Sequence, residues 1–403
     1  MQSIDKQVAM QKPIYLDNNA TTPCAPEVVE AMTPYFTLQY GNPSSMHLLG
    51  LQAQLAVTKA REAIASFLGC DSSELFFTSG ATESNNQVLL SCPPAGERRR
   101  GLIVSAVEHK SVLAPALALS EQGIAIQKLP VDAGGRVLLQ SLKDTIDENI
   151  YLLSVQAANN EVGTIQPIRE IAEYAHSQGV LVHCDATQLL GRMPLDLYEL
   201  GVDFASFSAH KVYGPKGVGA LFVRQGNPRR NILPLLRGGG QEASLRSATL
   251  NVPGIVGFAA ACTLAKRQMA TDALQMIQLR DSLEMTMLKH ITDARVNGDL
   301  TNRLPGTTSI SIPGVQADTL IANAPNICIS GGSACSEGTV SPSHVLLAMG
   351  LSGEQAECTV RIGIGRYNSQ TEIDSACACL ITTVKQLRNA SRLMCESENR
   401  KTQ

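Results

Sequence analysis

Short apolar segments alternate with segments of helical periodicity from about residue 75 to residue 225 of this 403-residue chain. The short segments have the length and composition of buried strands, and turn residues or a helix start follow each of them. Strands that alternate with helices in this way pair in parallel and are covered by helices on both faces. Internal repeats and low-complexity segments are absent from the sequence. The pattern therefore predicts an α/β fold built on a mainly parallel sheet.

Residues 206–219, SFSAHKVYGPKGVG, contain the candidate catalytic lysine. A strand is predicted over residues 202–208, and the glycines and the proline that follow prevent a helix directly after it. Lys211 is thus expected where a core strand opens into a tight loop. Partial burial there disfavours the charged ammonium, which leaves a free amine able to form a Schiff base. The alternative is a lysine that extends from the strand end into water.

A second apolar run, residues 179–188, ends in polar residues that include Asp185. The carboxyl ends of parallel strands lie at one edge, where open α/β sheets bind ligands, so Asp185 and Lys211 are expected at the same edge. An aspartate at such depth needs a cation. The protonated ring nitrogen of pyridoxal phosphate is one, and an aspartate and a lysine form the usual constellation around that cofactor. A helix N-cap is the alternative role for Asp185.

Motifs spread in one order over nearly the whole chain resemble the NifS/IscS family of cysteine desulfurases, which are class-V aminotransferases and fold-type I pyridoxal-phosphate enzymes. Each motif is a weak signal alone, but chance agreement of so many in one order is negligible. The matching segments are residues 15–22 (YLDNNATT), 41–45 (GNPSS), 78–84 (TSGATES), 107–110 (VEHK), 159–163 (NNEVG), 237–242 (RGGGQE), 332–335 (GSAC) and 361–366 (RIGIGR), together with the two strands above.

The resemblance implies a fold-type I architecture with a large and a small domain. The large pyridoxal-phosphate-binding domain is expected at residues 14–260, and the small α/β domain at residues 1–13 and 261–403. A helical pattern from about residue 254 to residue 289 leads into the small domain. A mobile surface loop is predicted at about residues 330–340, which have little side-chain bulk and no periodicity. The predicted strands of the small domain are residues 295–297, 309–312, 327–330 and 359–362.

The predicted start of a helix in the motif at 78–84 presents backbone N–H groups to an anion, which suits the cofactor's phosphate. An ordinary capping box is the alternative. Asn160 and Gln188 offer amide donors that suit the phenolic oxygen of the ring. His109, by resemblance, stacks on the ring and acts as an acid/base group. The cofactor-binding residues that the resemblance implies are Lys211, Asp185, Gln188, Asn160, Ala81, Thr82, Ser208, His210, Thr249 and His109.

A homodimer is also implied, in which the loop with Thr249 crosses to the cofactor of the partner subunit. The family usually has glycine where this chain has Ala248. If that position needs a positive φ, the loop must shift slightly, because alanine disfavours such a conformation.

Cys335 is the one reactive group of its loop, and an incidental surface cysteine is the alternative interpretation. By resemblance, its thiolate takes the sulfur of L-cysteine as a persulfide, releases alanine, and passes the sulfur to an acceptor or iron–sulfur scaffold protein. Arg361 can hold the substrate carboxylate in a bidentate pair, with a surface ion pair as the alternative. The substrate-binding residues implied are Arg361, Asn160, Ala20 and Thr21.

No resident metal site is predicted, although Cys335 is a candidate for transient iron–sulfur ligation. Cys377 and Cys379 lie in a helical pattern and lack a second close cysteine pair. The chain has eleven cysteines, which cannot all pair, so reduced thiols are expected.

The composition narrows the function classes. A formal charge of −3 and a pI near 6.2 argue against nucleic-acid binding as the main task. No apolar run is long enough to span a bilayer and no export signal is visible, so a cytoplasmic location without membrane contact is expected.

Two rival functions stay open: a selenocysteine lyase or small-amino-acid aminotransferase of the same fold, and a non-catalytic sulfur-transfer or assembly partner. Residues 17–20 resemble the nitrogen-fixation-associated members more than the housekeeping ones.

Overall fold

The computed structural model describes residues 13–91, 99–226, 232–331 and 342–401. The strands in these ranges are β1 (Ile14–Tyr15), β2 (Leu75–Thr78), β3 (Gly101–Ser105), β4 (Ile126–Leu129), β5 (Ile150–Ser154), β6 (Leu181–Asp185), β7 (Phe204–Ser208), β8 (Gly219–Val223), β9 (Arg295–Asn297), β10 (Thr307–Ser311), β11 (Ile327–Cys328), β12 (Ser330–Gly331) and β13 (Thr359–Gly363). The helices are α1 (Pro26–Met32), α2 (Pro34–Thr37), α3 (Leu48–Leu68), α4 (Ala81–Leu90), α5 (Lys110–Glu121), α6 (Leu139–Thr145), α7 (Ile168–Ser177), α8 (Leu197–Leu200), α9 (Val252–His290), α10 (Ala317–Asn323), α11 (His344–Ala348), α12 (Gly353–Glu357) and α13 (Gln370–Lys401).

A seven-stranded sheet forms the centre of the larger part of the chain, in the order β2-β8-β7-β6-β5-β3-β4. The strands from β7 to β4 in this order pair in parallel, whereas β8 runs antiparallel to both β7 and β2. The predicted fold class is therefore confirmed. Because β6 and β7 are parallel neighbours, Asp185 at the end of β6 and the segment that follows Ser208 emerge at the same edge.

Alternate residues of the central strands pack into two different hydrophobic clusters. In β3, Ile103 packs into a cluster with residues of α3 and α9, whereas Leu102 and Val104 pack into a cluster with residues of α4 and α5. All three side chains are buried. A strand that is buried on both faces needs apolar residues at consecutive positions, which explains the continuous apolar runs of the sequence.

A smaller antiparallel sheet, in the order β12-β13-β10-β9, lies in the C-terminal part of the chain. The single strand predicted at residues 327–330 is instead two strands, and this prediction was wrong. β11 pairs in parallel with β1, whereas β12 pairs with β13, so the chain passes from one sheet to the other between Cys328 and Ser330. The pairing of β1 with β11 also brings Leu16 into the hydrophobic cluster of the smaller sheet.

The helix α9 runs without interruption from one hydrophobic cluster to another. Ile255 and Phe258 pack into the cluster below the large sheet, whereas Leu279 and Leu283 pack into the cluster of the smaller sheet. The domain boundary predicted between residues 260 and 261 falls inside this helix and stays a prediction. No helix in the described part of the chain is long and apolar enough to cross a membrane.

Four residues of the segment 242–248 have positive φ angles although none is glycine. The angles are 50° at Glu242, 53° at Ala243, 65° at Ser244 and 155° at Ala248. The turn is fixed by Glu242, whose carboxylate pairs with Arg61 at 2.5 Å and accepts the N–H of Phe77 at 2.7 Å. Ala248 also has a φ in the range that favours glycine, so its backbone conformation is strained.

We predict that Ser244→Gly raises the stability of the protein. A left-handed φ costs a non-glycine residue about 1–2 kcal/mol, which glycine avoids. Part of this gain in stability is offset, because glycine loses more chain entropy on folding. The expected gain of about 1 kcal/mol corresponds to a rise in Tm of roughly 1–2 °C for a chain of this size. Ser120→Gly is the control: Ser120 is exposed in α5, where glycine should lower the Tm. A Tm of Ser244→Gly below that of the parent would contradict the prediction.

Candidate active site

A cavity of about 250 Å³ opens at the carboxyl edge of the large sheet and extends to the smaller sheet at Arg361. The strand ends of β6 and β7 contribute residues to its wall, as expected for an open α/β sheet. The predicted site residues that line it are Ala20, Ala81, Thr82, His109, Asn160, Asp185, Gln188, Ser208, His210, Lys211 and Arg361. Asn19, Ser111, Gln156, Ala158 and Thr187 complete the lining.

Three predicted site residues do not line this cavity. Thr21 lies behind it: its hydroxyl contacts Nδ1 of His210 at 3.0 Å, and it borders a neighbouring cavity of about 330 Å³. Thr249 is exposed at the surface. Cys335 lies outside the described residues.

Lys211 lies in the cavity at the end of the turn Ala209–Lys211, which directly follows β7. Its Nζ donates hydrogen bonds to the backbone carbonyls of Asn19 and Ala20, both at 2.6 Å. The side chain therefore points inward and is held by the motif at residues 15–22. It does not extend from the strand end into water.

Asp185, the last residue of β6, has an exposed fraction of 7%. Its Oδ2 accepts from Nδ2 of Asn85 at 2.8 Å, and its Oδ1 accepts from the backbone N–H of Thr187 at 3.1 Å. Both donors are neutral, and no salt bridge to Asp185 is present among the described residues. The chain continues as turns, so Asp185 caps no helix. A buried carboxylate of this kind lacks a cation, which a ligand in the cavity could supply.

His109 is both the N-cap of α5 and part of the cavity wall. Its Nδ1 accepts the backbone N–H of Ser111 at 3.1 Å and contacts Oγ of Ser111 at 2.8 Å. Because Nδ1 accepts a backbone N–H, the imidazole proton lies on Nε2. Burial lowers the pKa of His109, Asp185 raises it, and Lys211 lowers it further, so the ring is neutral near pH 7.

Asn85 and Ser111 connect His109 to Asp185. Nδ2 of Asn85 donates to Oδ2 of Asp185 and to Oγ of Ser111, in both cases at 2.8 Å, and Oγ of Ser111 then donates to His109. Asn85, Ser111 and Asp185 are buried, and His109 is half-buried. We did not predict Asn85 or Ser111, although Asn85 lies one helical turn after Ala81 and therefore on the same face of α4.

Gln188 and Asn160 are held by the segment at residues 18–20. Nε2 of Gln188 donates to the carbonyl of Asn19 at 3.0 Å, and Nδ2 of Asn19 donates to the carbonyl of Asn160 at 3.0 Å. Asn19 also contacts Thr307 of the smaller sheet at 2.9 Å. Asn19 thus links the two sheets at the cavity, a role that we did not predict for it.

Arg361 lies on β13, and its side chain is 5% exposed. Its Nη2 pairs with Asp17 at 2.8 Å, and its Nη1 donates to the carbonyl of Asn160 at 3.3 Å. The buried Nε has no hydrogen-bond partner among the described residues. Arg361 is therefore not part of a surface ion pair. It lines the cavity, and two of its five N–H donors are used by Asp17 and Asn160, which leaves donors on the guanidinium for an anion.

The N-terminus of α4 lies against the end of β7. The backbone N–H of Ala81 donates to Oγ of Ser208 at 2.8 Å, and a Cβ at Gly80 would lie 3.2 Å from the same atom. Glu83 accepts the N–H of Ser79 at 2.8 Å and pairs with Arg246 at 2.8 Å. Ala81 and Thr82 at the start of the helix line the cavity together with Ser208. This combination suits a phosphate group.

The residues present fit pyridoxal phosphate. A buried carboxylate suits a protonated ring nitrogen, a lysine amine suits an aldehyde, and a helix N-terminus beside Ser208 suits a phosphate. The described residues contain no group of three or more His, Cys, Asp and Glu side chains that could hold a metal ion.

Comparisons with known proteins identify the family of the chain. The chain matches the Aminotransferase class-V family model over residues 14–375. It is 41% identical over 383 residues to the protein named cysteine desulfurase IscS of Rickettsia typhi, covering 94% of this chain and 93% of that relative.

Solved structures are similar over most of the chain. A NifS-like protein is 40% identical with a TM-score of 0.86 and covers 93% of this chain and 99% of its own. A structure described as SspA in complex with cysteine is 35% identical with a TM-score of 0.76 and covers 88% of this chain and 99% of its own. The chain therefore belongs to the class-V aminotransferase family, among relatives that are named cysteine desulfurases.

Proposed function

We propose that this protein removes sulfur from L-cysteine with the help of pyridoxal phosphate, on which members of its family depend, and transfers the sulfur through Cys335. When bound, the cofactor supplies an electron sink for charge that develops at the substrate Cα. The observation that carries the proposal is the pair formed by Lys211 and the buried Asp185 in one cavity. A lysine amine binds the aldehyde of this cofactor, and an aspartate keeps its ring nitrogen protonated, so both groups are needed for its reactive state.

Arg361 orients the substrate. A guanidinium binds a carboxylate strongly through parallel N–H donors in a buried site, and Arg361 lines the cavity with only two of its N–H donors bonded, to Asp17 and to the carbonyl of Asn160. A volume of about 250 Å³ suits a small amino acid beside the cofactor. The similar structure of SspA is described as a complex with cysteine, which supports L-cysteine as the substrate of this chain.

Lys211 moves a proton, and His109 donates a hydrogen bond. The Lys211 amine is placed to take the proton from the substrate Cα, because its Nζ is held at the carbonyls of Asn19 and Ala20 beside the cavity. His109 presents its Nε2 proton to the cavity, since Nδ1 is occupied by Ser111. The neutral ring therefore serves the leaving sulfur as a hydrogen-bond donor through Nε2.

Cys335 is proposed as the sulfur acceptor. Its thiolate forms an S–S bond with the substrate sulfur as the Cβ–S bond breaks, and the electron pair of that bond stays with the carbon, which takes up a proton and leaves as alanine. The flanking residues support this role. Ser330 lies opposite Arg361 in the sheet, and Ser343 donates to the buried Glu161 at 2.5 Å. Both ends of the segment that contains Cys335 are thus anchored beside the cavity.

A homodimer is part of the proposal. Large apolar side chains are exposed along the segment from α1 to α3, and clusters of exposed apolar residues often mark protein–protein contact surfaces. They are Phe36 (61% exposed), Leu38 (72%), Met46 (93%), Leu48 (70%) and Leu55 (54%). The exposed Thr249 can then contact the cofactor of the partner subunit. An acceptor protein, such as an iron–sulfur scaffold, would receive the sulfur.

We expect mass spectrometry after incubation with L-cysteine to find one added sulfur atom on the Cys335 peptide, and alanine in solution. Cys335→Ser should keep the visible band of the holoenzyme but release no sulfide. Lys211→Ala should lose the band. Undiminished alanine and sulfide release by Cys335→Ser would favour a lyase of the selenocysteine type. Transfer of the amino group to a keto acid without sulfide release would favour an aminotransferase, and unchanged function of Lys211→Ala would favour a non-catalytic partner.

Arg361→Ala should raise the KM for L-cysteine by roughly 10- to 100-fold, because a charge-assisted hydrogen bond contributes about 1.5–3 kcal/mol. Steady-state kinetics measure this change. Arg169→Ala is the control, since Arg169 is exposed and pairs only with Glu173. An unchanged KM in Arg361→Ala would show that another group binds the carboxylate.

Ser111→Ala should raise the pKa of His109, because it removes an O–H donor that stabilises the neutral imidazole at Nδ1. A function that needs neutral His109 is lost as the pH falls through this pKa, so the acidic limb of kcat/KM should move up by roughly half a pH unit. Ser120→Ala, on an exposed position of α5, should leave the profile unchanged. A profile of Ser111→Ala that matches the parent would contradict the connection between His109 and Asn85.

A further inference from the structure

Arg192 lies behind Gln188 in the turn that follows β6, and it is not part of the cavity wall. Its Nη1 donates to Oε1 of Gln188 at 2.6 Å and to Oδ1 of Asn19 at 3.3 Å, and its Nη2 donates to the carbonyl of Asn18 at 2.8 Å. Its exposed fraction is 9%. The guanidinium is thus buried and well hydrogen-bonded, but all three acceptors are neutral.

The other buried arginines among the described residues are paired with carboxylates, Arg361 with Asp17 and Arg280 with Asp281. Arg192 forms no salt bridge among the described residues. Burial lowers the pKa of Arg192 to about 10, with smaller influences from Tyr213 and Arg361, so it remains charged at neutral pH. A buried cation without an anion is costly, and neutral side chains of similar size usually serve stability better. A functional reason for this charge is therefore expected.

The first effect of Arg192 is on the orientation of Gln188. Because Oε1 of Gln188 accepts from the guanidinium, the amide cannot rotate by half a turn without placing two donors against each other. Nε2 of Gln188 uses one hydrogen for the carbonyl of Asn19. The second N–H is left for the cavity that Gln188 lines.

The second effect is electrostatic. Arg192 binds Asn18 and Asn19, and Lys211 binds the carbonyls of Asn19 and Ala20, so the two side chains are held by the same three-residue segment. A buried positive charge held by the same segment as Lys211 disfavours another proton on the Lys211 nitrogen and favours an anionic oxygen on a ligand.

We propose that Arg192 is a positioning residue that turns the amide of Gln188 toward the phenolic oxygen of the cofactor and supplies a buried positive charge that lowers the proton affinity of the Lys211 nitrogen in the holoenzyme. This inference rests on the proposed function, since it requires pyridoxal phosphate at Lys211.

A pH titration of the visible absorption band of the holoenzyme tests the inference. Arg192→Gln and Arg192→Met both remove the charge. Two neutral variants are used because either one alone could fold poorly. We expect the midpoint to rise by about one pH unit in both variants. Arg192→Lys keeps the charge, and its midpoint should stay within roughly a third of a unit of the parent. Arg169→Gln, which removes an exposed charge, should leave the midpoint unchanged.

Unshifted midpoints in the neutral variants would overturn the inference. A lysine variant that behaves like the neutral ones, in its midpoint or in its cofactor dissociation constant, would also overturn it, because the charge would then have no effect of its own. Loss of cofactor binding in both neutral variants but not in the lysine variant would support it. A parent protein that shows no visible band with added pyridoxal phosphate would contradict the proposed function instead, so the two failures are distinguishable.

Discussion

The parallel pairing of β6 with β7 is the constraint on which the cavity depends. Asp185 lies opposite Ser206 in this pairing, and Lys211 follows five residues after that position. A slip of the register by one residue would turn the Asp185 side chain to the other face of the sheet. The apolar residues of both strands, which are buried on both faces, prevent such a slip because it would move the core side chains as well.

The short segment from Asp17 to Ala20 joins the two sheets around the cavity. It pairs with Arg361 of the smaller sheet through Asp17, and its carbonyls bind Lys211 at the edge of the large sheet. Asn19 also donates to Thr307. Backbone carbonyls are well suited to this role, because they are held by the chain and cannot change rotamer. The substrate-binding arginine and the catalytic lysine are therefore positioned by one piece of backbone.

Sequence patterns predicted the sheet, its strands and the places of Lys211 and Asp185, because each of these depends on local periodicity and on the polar residue at a strand end. They did not predict Asn19 or Arg192, whose partners are distant in the chain: Arg192 and Asn18 are 174 positions apart. The split of the strand at residues 327–330 was also missed, because local pattern does not reveal which partner a strand edge finds. Hydrogen bonds between residues that are far apart in the chain produce no periodic pattern in the sequence.

The long helix α9 determines how the two sheets can move. Between Phe258, in one hydrophobic cluster, and Met287, in the other, its sequence contains neither glycine nor proline, the residues at which helices most often kink. A helix of this kind is stiff and bends only gently along its length. A helix that packs against both hydrophobic clusters without a kink therefore opposes rotation of one sheet relative to the other at this junction.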